Sequence, residues 1–528
     1  MPNGAQALIR TLVAAGVTTC FTNPGTTEIH FVAALDCIPE MRTVLALFEG
    51  VATGAADGYA RMTGAPAATL LHLGPGLGNG LANLHNARRA RVPLVNIVGD
   101  HATWHVKYDA PLQSDIETVA RNASAWVRTS RTTKELGRDA AEAIAASIGP
   151  PGQVATLIVP ADVAWGDSAT PPTPAPPAQP AVRATVSAEL VETVASTIHG
   201  GRRTGILLGG RALRRRGLIA AARIAAATGT RLFAEVLPAR VERGAGLPAV
   251  ERLAYWPELA SAQLAGVEHL VLAGASAPVS FFGYQGRESV LTGAGCSLHE
   301  LAAPELDVEL CLEALAEALG AADASPALQQ RSSPPAPTGP LTADKVCQAV
   351  GAVLPEGAIV SDEAITSGMT LPASTVGAPP HDWLTLTGGA IGQGLPVAVG
   401  AAIACPDRPV IALEADGSAL YTIQSLWTMA REGLDVTAVI FNNRSYGILN
   451  VELERIGAHS AGPRADAQLH LGDPDVDFVA LANGLGVPAR RVRDAEQLTD
   501  VLERAIAEPG PHLIETLIPA EVAPTRSS

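Results

Sequence analysis

The sequence has few of the features that mark membrane or nucleic-acid-binding proteins. It contains no run of roughly 18 or more apolar residues, and no basic stretch followed by an apolar one precedes the first helical pattern. Asp and Glu outnumber Lys and Arg by 52 to 37, a net charge of −15, so the basic stripe that neutralises phosphates is missing. We therefore expect a soluble, untargeted, cytoplasmic protein that binds neither membranes nor nucleic acid.

Cysteine and aromatic residues are also scarce. The six cysteines are scattered without a Cys-x-x-Cys pair, which in a chain of 528 residues predicts buried thiols in a reducing compartment rather than a disulfide framework or a metal site. Aromatic residues make up 4% of the chain, whereas apolar residues make up 47% and glycines number 51. This composition favours helices packed closely on sheets.

Short apolar runs alternate with Ala-rich helical patterns along the whole chain, which predicts parallel sheets flanked by helices. Helices are predicted over 78–89 and 423–432. The predicted strands are Ala67–His72, Leu94–Val98, Thr204–Leu208, His269–Ala273, Val410–Glu414 and Val436–Phe441. The fold class is therefore α/β, with a mostly parallel sheet in each domain.

Two proline-rich stretches, Thr170–Pro180 and Ser332–Pro340, divide the chain. The predicted organisation is three domains joined by two linkers: domains over 1–168, 185–325 and 341–528, and linkers over 169–184 and 326–340. The outer two domains contain similar segments, in which a glycine-rich helix start is followed by a run from Pro to Asp. Either shared α/β grammar or a common topology of two facing domains explains this similarity.

The segment 414–418 (Glu-Ala-Asp-Gly-Ser) follows one predicted strand, and 441–447 (Phe-Asn-Asn-Arg-Ser-Tyr-Gly) ends the next. The carboxyl ends of neighbouring parallel strands are where open α/β sheets bind ligands. Asp416, the amide oxygen of Asn443 and a carbonyl near Ser445 would supply the hard oxygen ligands that Mg²⁺ prefers. Gly417 and Ser418 open a helix, whose free N–H groups favour a phosphate.

These two motifs resemble those of the thiamine diphosphate (ThDP) enzymes of the acetolactate synthase, pyruvate oxidase and benzoylformate decarboxylase group. In that family a Gly-Asp-Gly motif ends in Asn-Asn and holds Mg²⁺ and the cofactor diphosphate; here Ala415 replaces the first glycine. The resemblance covers the whole chain and implies a pyrimidine-binding domain over 1–168, a middle domain over 185–325 and a diphosphate-binding domain over 341–528. It also implies an active site shared between two subunits of a homodimer or homotetramer.

The resemblance assigns roles to further residues. Glu49 would bond to the pyrimidine ring and promote removal of the thiazolium C2 proton, a task for which burial raises a carboxyl pKa usefully. Gly389 would offer a backbone carbonyl to the aminopyrimidine, and Ile391 would hold the cofactor in its bent shape. The implied magnesium ligands are Asp416, Asn443 and Ser445, and the other implied cofactor-binding residues are Thr366, Gly417, Ser418, Ser445, Tyr446 and Gly447.

Other positions bear on the substrate. The segment 23–28 (Asn-Pro-Gly-Thr-Thr-Glu) resembles the carboxylate-binding loop of benzoylformate decarboxylase, with Thr26 at the contacting position, and His72 matches that enzyme's catalytic histidine. A second histidine expected near 278–284 is absent, and Gln393 and Glu452 stand where an aryl pocket needs apolar walls. Gln113, in a segment similar to one of the synthases, and His101 are further candidates for substrate contact.

The expected function is decarboxylation of a 2-oxo acid with Mg²⁺ and ThDP, giving an aldehyde or, by carboligation, an acyloin or acetolactate-type product. The alternatives are an acetolactate synthase proper, a catalytically silent member of the fold, and a flavin-dependent one. The middle domain has only a weak dinucleotide-binding pattern at Gly209 and Gly210, so we do not expect FAD, although some family members bind it there.

Overall fold

The computed structural model describes residues 3–166, 182–200, 203–458 and 462–520. The chain forms two compact units, one of 1–180, 333–375 and 386–528, and one of 181–332 and 376–385. The expected linker Thr170–Pro180 lies outside the described residues, whereas 332–340 contains no helix or strand apart from an isolated bridge at Pro340. None of the helices in the described part of the chain has the length and apolar character needed to cross a membrane.

The first unit has an N-terminal part built on one parallel sheet. Its helices are α1 (Gly4–Ala14), α2 (Ile29–Ala34), α3 (Glu49–Thr63), α4 (Leu73–Ala90), α5 (Ile116–Arg121), α6 (Thr133–Ile148) and α7 (Ala161–Trp165). Its strands are β1 (Thr19–Asn23), β2 (Arg42–Leu45), β3 (Ala67–Leu71), β4 (Leu94–Asp100), β5 (Trp126–Thr129) and β6 (Val154–Pro160). The strand order is β2-β1-β3-β4-β6-β5, all parallel, and helices α1 and α6 pack on one face of the sheet.

The C-terminal part of the same unit is built in the same way. Its helices are α12 (Ala343–Val353), α13 (Leu371–Ser374), α14 (Gly394–Ala404), α15 (Asp416–Ala419), α16 (Ser425–Glu432), α17 (Gly447–Arg455), α18 (Pro463–Leu469), α19 (Phe478–Gly484) and α20 (Ala495–Ala507). Its strands are β13 (Ile359–Glu363), β15 (Val410–Ala415), β16 (Val436–Asn442), β17 (Ala489–Val492) and β18 (His512–Leu517). They lie parallel in the order β17-β18-β16-β15-β13.

The second unit holds the remaining elements. These are helices α8 (Ala188–His199), α9 (Arg215–Thr228), α10 (Pro257–Gln263) and α11 (Val308–Ala318), and strands β7 (Thr204–Leu208), β8 (Arg231–Ala234), β9 (Val241–Arg243), β10 (Glu251–Arg252), β11 (His269–Ala273), β12 (Ser297–Ala302) and β14 (His381–Thr385). The parallel order is β10-β8-β7-β11-β12, and β14 pairs with β9 in antiparallel fashion. Residues 376–385, which we expected within the last domain, thus belong to this unit.

The N- and C-terminal parts of the first unit meet where α3 packs against α14. A Cβ at Gly400 of α14 would lie 1.9 Å from the carbonyl oxygen of Ala55, and one at Gly58 of α3 would lie 2.2 Å from the carbonyl oxygen of Val397. Real Cβ atoms essentially never come so close to backbone atoms. Glycine therefore lets the two helix backbones touch, and this contact places the N-terminus of α14 beside the N-terminal part.

The predicted α/β fold class is confirmed, and the strand predictions agree with the structure to within two residues at each end. The helix predicted over 78–89 is longer, because α4 already begins at Leu73. The residues before Gly78 are rich in glycine and contain Pro75, which have low intrinsic helix propensity, so the packing of α4 on α3 outweighs the local preference.

Candidate active site

Glu49 is the first residue of α3, and its side chain is buried, with 9% of the residue exposed. The Asn79 amide donates to Glu49 Oε2 at 3.0 Å, and a Cβ at Gly76 would lie only 3.1 Å from Oε1. The helix N-terminus favours negative charge at this position. Among the described residues no Lys, Arg or His forms an ion pair with this carboxylate, so it can exchange a proton without breaking such a pair.

His72, which directly follows β3, is held by a buried glutamate. Its Nδ1 lies 2.7 Å from Glu28 Oε2, and the same oxygen accepts the Gly25 N–H at 2.8 Å. Glu28 Oε1 accepts the Thr27 hydroxyl at 2.5 Å. We infer that Nδ1 carries the proton and that Nε2 is left as an acceptor. The sequence interpretation missed Glu28, although Glu28 lies three residues after Gly25, the spacing at which its side chain can bond to the Gly25 N–H. Thr26, which lies between them, is exposed.

Three strand ends in this unit are followed by strained backbone. Leu73 comes directly after His72 and has φ of 55°, Ile365 directly precedes Thr366 and has φ of 50°, and Arg444 directly follows Asn443 and has φ of 56°. Residues other than glycine rarely adopt this left-handed region, and such strain, of order 1–3 kcal/mol per residue, concentrates at functional sites. Each strained residue adjoins a residue that the sequence predicts to be functional.

Asp416 and Asn443 lie at the carboxyl ends of β15 and β16 and are buried. The Asp416 carboxylate accepts the N–H groups of Gly417 at 2.9 Å and Arg444 at 2.6 Å, and Asn443 Oδ1 accepts the Ser445 N–H at 2.9 Å. Burial raises the pKa of Asp416 to about 6, since backbone N–H groups offset its desolvation only in part.

This donor set fits a divalent cation. A buried carboxylate whose recorded partners are backbone N–H groups lacks a compensating positive charge, and carboxylate and amide oxygens are hard ligands. No group of three or more His, Cys, Asp or Glu side chains in the described part of the chain could hold a metal ion. A cation at Asp416 and Asn443 would therefore need backbone carbonyls, water or a ligand's phosphate to complete its shell.

The predicted phosphate-binding residues adjoin this pair. Gly417 allows the Tyr446 ring to approach, because a Cβ there would be 2.5 Å from Cε1, and burial raises the pKa of the Tyr446 phenol. Ser418 is buried, and Gly447 is the first residue of α17. Thr366 is half-buried in the turn after β13, the neighbour of β15. The structure therefore places these residues at the same edge of the sheet as Asp416.

The loop 388–392, just before α14, is bound at alternate residues by side chains of α4. His85 Nε2 bonds to the Gly388 carbonyl at 3.1 Å, Asn86 bonds to the N–H and carbonyl of Ala390 at 3.2 and 2.8 Å, and Asn83 donates to the Gly392 carbonyl at 3.1 Å. Gly389 and Ile391 are half-buried, and no hydrogen bond of their backbone groups to a described residue is recorded. Gly389 is predicted to offer its carbonyl to the pyrimidine and Ile391 to hold the cofactor in its bent shape, and both roles stay predictions.

Gln393, a predicted substrate residue, is almost fully buried, with 1% exposed. It donates to Asp57 Oδ2 at 2.6 Å, and Asp57 forms a two-point ion pair with Arg61 at 2.8 and 2.7 Å. Arg61 also donates to the Thr387 hydroxyl at 2.9 Å. These contacts favour a role for Gln393 in joining α3 to the loop over contact with a substrate.

The remaining substrate candidates lie on more exposed segments. His101 is half-buried with its ring 5.4 Å from that of His105, and its Nε2 has no hydrogen-bond partner among the described residues. Gln113 Nε2 donates weakly to a backbone carbonyl at 3.3 Å, and its Oε1 is likewise without a partner there. Glu452, on α17, is 3.7 Å from Arg455. These three residues stay predictions.

The strand order of the second unit is typical of dinucleotide-binding domains, but its phosphate-binding groups are already occupied. After β7 the Gly210 N–H donates to Glu235 at 3.1 Å, and the Arg215 N–H, at the start of α9, donates to Glu242 at 2.8 Å. A dinucleotide phosphate would have to displace both carboxylates and would meet their negative charge. This arrangement disfavours a flavin nucleotide in this unit.

Comparison with known protein families gives two matches. Residues 2–122 match the model of the thiamine pyrophosphate enzyme N-terminal TPP binding domain, and residues 368–516 match the C-terminal TPP binding domain. The first match contains Glu49 and His72, and the second contains Gly389, Asp416 and Asn443. Both halves of the candidate site therefore fall within matched regions.

Individual proteins are similar over nearly the whole chain. A Mycobacterium tuberculosis protein named "Putative acetolactate synthase large subunit IlvX" is 58% identical over 98% of this chain and 100% of its own. Benzoylformate decarboxylase of Pseudomonas aeruginosa is 29% identical over 95% of this chain and 96% of its own. The solved structure of the thiamine diphosphate-dependent 4-hydroxybenzoylformate decarboxylase of Rhodococcus jostii superimposes with a TM-score of 0.87 at 25% identity, covering 99% and 100% of the two chains.

Proposed function

This chain belongs to the thiamine pyrophosphate enzyme family, and we propose that it uses Mg²⁺ and ThDP to decarboxylate a 2-oxo acid without oxidation. The product is an aldehyde or, after addition to a second carbonyl compound, an acyloin or acetolactate-type acid. The observation that carries this proposal is that the chain has both Glu49, a buried acid without a cation partner among the described residues, and the paired oxygens of Asp416 and Asn443.

Each residue has a defined task. When bound, ThDP supplies a nucleophilic carbon and an electron sink for loss of CO₂. Asp416 and Asn443, with a carbonyl near Ser445, would hold Mg²⁺ and through it the diphosphate. The backbone carbonyl of Gly389 would orient the pyrimidine, and the Ile391 side chain would hold the cofactor in a bent shape. The residues of this chain thus bind and orient, and the reacting centre belongs to the cofactor.

Two side chains move protons. Glu49, whose Oε2 accepts the Asn79 amide, holds or releases a proton at its carboxylate oxygens toward the pyrimidine ring. His72 accepts or donates at Nε2, because Glu28 orients the ring through Nδ1. We propose that His72 serves the substrate side of the reaction, and that Thr26, His101 and Gln113 are substrate contacts.

The decisive test is Glu49→Gln. In this variant we expect both C2–H exchange of bound ThDP and CO₂ release to fall by roughly 100-fold or more, while ThDP still binds, since an amide cannot transfer the proton. Glu40→Gln, an exposed glutamate of the same part of the chain, is the matched control. Wild-type exchange and decarboxylation in Glu49→Gln would refute the proposal.

Decarboxylase and carboligase remain two candidates, because a specific observation favours each. The Glu28–His72 pair favours protonation and release of an aldehyde, whereas the 58% identical relative carries the name of an acetolactate synthase. Product analysis with pyruvate, benzoylformate and added aldehydes separates them: acetolactate from pyruvate alone would identify a synthase, and free aldehyde would identify a decarboxylase.

We also propose a cytoplasmic homodimer or homotetramer, as in the family, in which Glu49 of one subunit completes the site of the other. Mixing inactive Glu49→Gln with inactive Asp416→Asn tests this. If sites are shared, each mixed dimer of a symmetric assembly contains one intact site and roughly a quarter of wild-type activity returns. If activity does not return after subunit exchange, the site lies within one chain.

A further inference from the structure

Glu363, the last residue of β13, binds the loop before α14 through both of its carboxylate oxygens. Oε1 accepts the Gly392 N–H at 2.8 Å, and Oε2 accepts the Gly394 N–H at 2.6 Å. The residue is buried, with 1% exposed. One carboxylate thus joins the end of the loop to the first residue of α14, where the helix dipole strengthens its interaction.

The contact of Glu363 with the loop lies beside Gly389 and Ile391, the two loop residues to which the proposed function gives a role in cofactor binding. Ala390 is held by Asn86 from one side, and Gly392 is held by Glu363 from the other. Ile391 therefore lies between two anchored residues, and Gly389 lies just before the first of them. Asn83 and the Thr422 hydroxyl hold the Gly392 carbonyl, each at 3.1 Å, whereas Glu363 holds its N–H, so Glu363 fixes the loop together with these contacts.

We propose that Glu363 is a positioning residue that sets the pyrimidine half of the cofactor site while leaving the diphosphate half unaffected. The inference rests on the proposed function. It follows because Glu363 bonds to the loop, whereas the recorded hydrogen bonds of Asp416 and Asn443 run to residues 417, 444 and 445 instead. The two halves of the site are thus fixed by different contacts and can be perturbed separately.

The test is Glu363→Gln in the full-length protein, with ThDP and inorganic pyrophosphate, each with Mg²⁺, titrated by calorimetry. A glutamine can accept only one of the two N–H groups, so we expect ThDP affinity to fall roughly 10- to 100-fold, as for loss of one charge-assisted hydrogen bond. Pyrophosphate affinity should stay within about threefold, because none of the recorded hydrogen bonds of Asp416 and Asn443 involves Glu363.

Ser361→Ala is the matched control. Ser361 is buried on the same strand and donates to the Gly394 carbonyl at 2.8 Å, inside the helix rather than in the loop. We expect it to lower stability while ThDP and pyrophosphate affinities change together or not at all. An equal loss of both ligands in Glu363→Gln, or the selective loss of ThDP in Ser361→Ala, would overturn the inference.

Hydrogen exchange of the wild-type protein gives a second measurement that does not depend on a variant folding. The Gly392 and Gly394 amides should be protected from exchange without cofactor, because Glu363 accepts a hydrogen bond from each of them. Unprotected Gly392 and Gly394 amides would overturn the inference. Failure of the wild-type protein to bind ThDP would overturn both the proposed function and this inference. A Glu363→Gln variant with the wild-type ratio of ThDP to pyrophosphate affinity would overturn this inference alone.

Discussion

The contact between α3 and α14 provides a sharp prediction, because it leaves no room for a side chain. In Gly400→Ala the new Cβ would lie 1.9 Å from the Ala55 carbonyl oxygen and 2.6 Å from the Tyr59 nitrogen, both backbone atoms. Ordinary contact begins near 3.4 Å, so the helices must separate by roughly 1.5 Å. Overpacking of this kind costs about 1–3 kcal/mol, and the better helix propensity of alanine offsets at most about 1 kcal/mol of it.

The separation should also be visible at the cofactor site. Because α14 begins directly after the loop 388–392, its displacement pulls that loop away from α4, and we expect Gly400→Ala to bind ThDP more weakly and to melt several degrees lower. Thermal unfolding and ThDP titration measure both effects. The control is Gly137→Ala on α6, whose new Cβ meets only Thr11 Oγ1 at 3.5 Å and should gain about 0.5–1 kcal/mol. Wild-type stability and affinity in Gly400→Ala would refute the packing argument.

Asp57→Asn leaves the fully buried Arg61 charged but without its carboxylate partner, so chemical unfolding should show a free energy of unfolding about 3–5 kcal/mol lower. Much of this loss should be recovered in the double variant Asp57→Leu/Arg61→Met. A loss below about 1 kcal/mol in Asp57→Asn would contradict the prediction. Burial lowers the pKa of His381 from its usual 6.5 to about 4. As the pH falls, the unfolded chain therefore binds a proton at this residue before the folded protein does, and folding becomes less favourable. At pH 5 the free energy of unfolding should be about 2 kcal/mol lower than at neutral pH because of this residue. The His381→Asn variant should show a weaker dependence of stability on pH. If hydrogen exchange at the His381 ring of the wild-type protein gave a pKa near 6.5, the prediction would be contradicted. His72→Ala should slow turnover or change the products while ThDP affinity is kept, and an equal loss of both would mark the residue as structural. The purified protein should show no flavin absorbance near 450 nm, because Glu235 takes the Gly210 N–H; a yellow protein would contradict this.

The parts of the site that could be predicted are local in sequence. Asp416 and Asn443 each follow a strand that is rich in apolar residues, and strands β7 and β11 begin and end at the predicted residues. Parallel pairing of β15 with β16 then brings Asp416 and Asn443, the predicted magnesium ligands, to one edge of the sheet. The spacing of apolar residues and the residue types at the turns are sufficient to predict such features.

The contacts that orient these residues could not be predicted, because they join distant segments. Glu28 meets His72 across 44 positions, and Gln393 meets Asp57 across 336. The left-handed backbone at Ile365 is a further case, since a β-branched residue gives no local sign that it will adopt positive φ. Tertiary packing decides each of these.

Helix α4 contacts both Glu49 and the loop 388–392 of the same chain. Asn79, Asn83 and Asn86 follow one another at spacings of four and three residues and so share one face of the helix. Asn79 bonds to Glu49, whereas Asn83 bonds to the Gly50 carbonyl at 2.8 Å and to the Gly392 carbonyl at 3.1 Å. An apolar residue at position 83 would remove one donor from each of these two buried glycine carbonyls, which accounts for an asparagine there in a packed helix. The positions of Glu49 and of the loop 388–392 are therefore linked, because any displacement of α4 moves both.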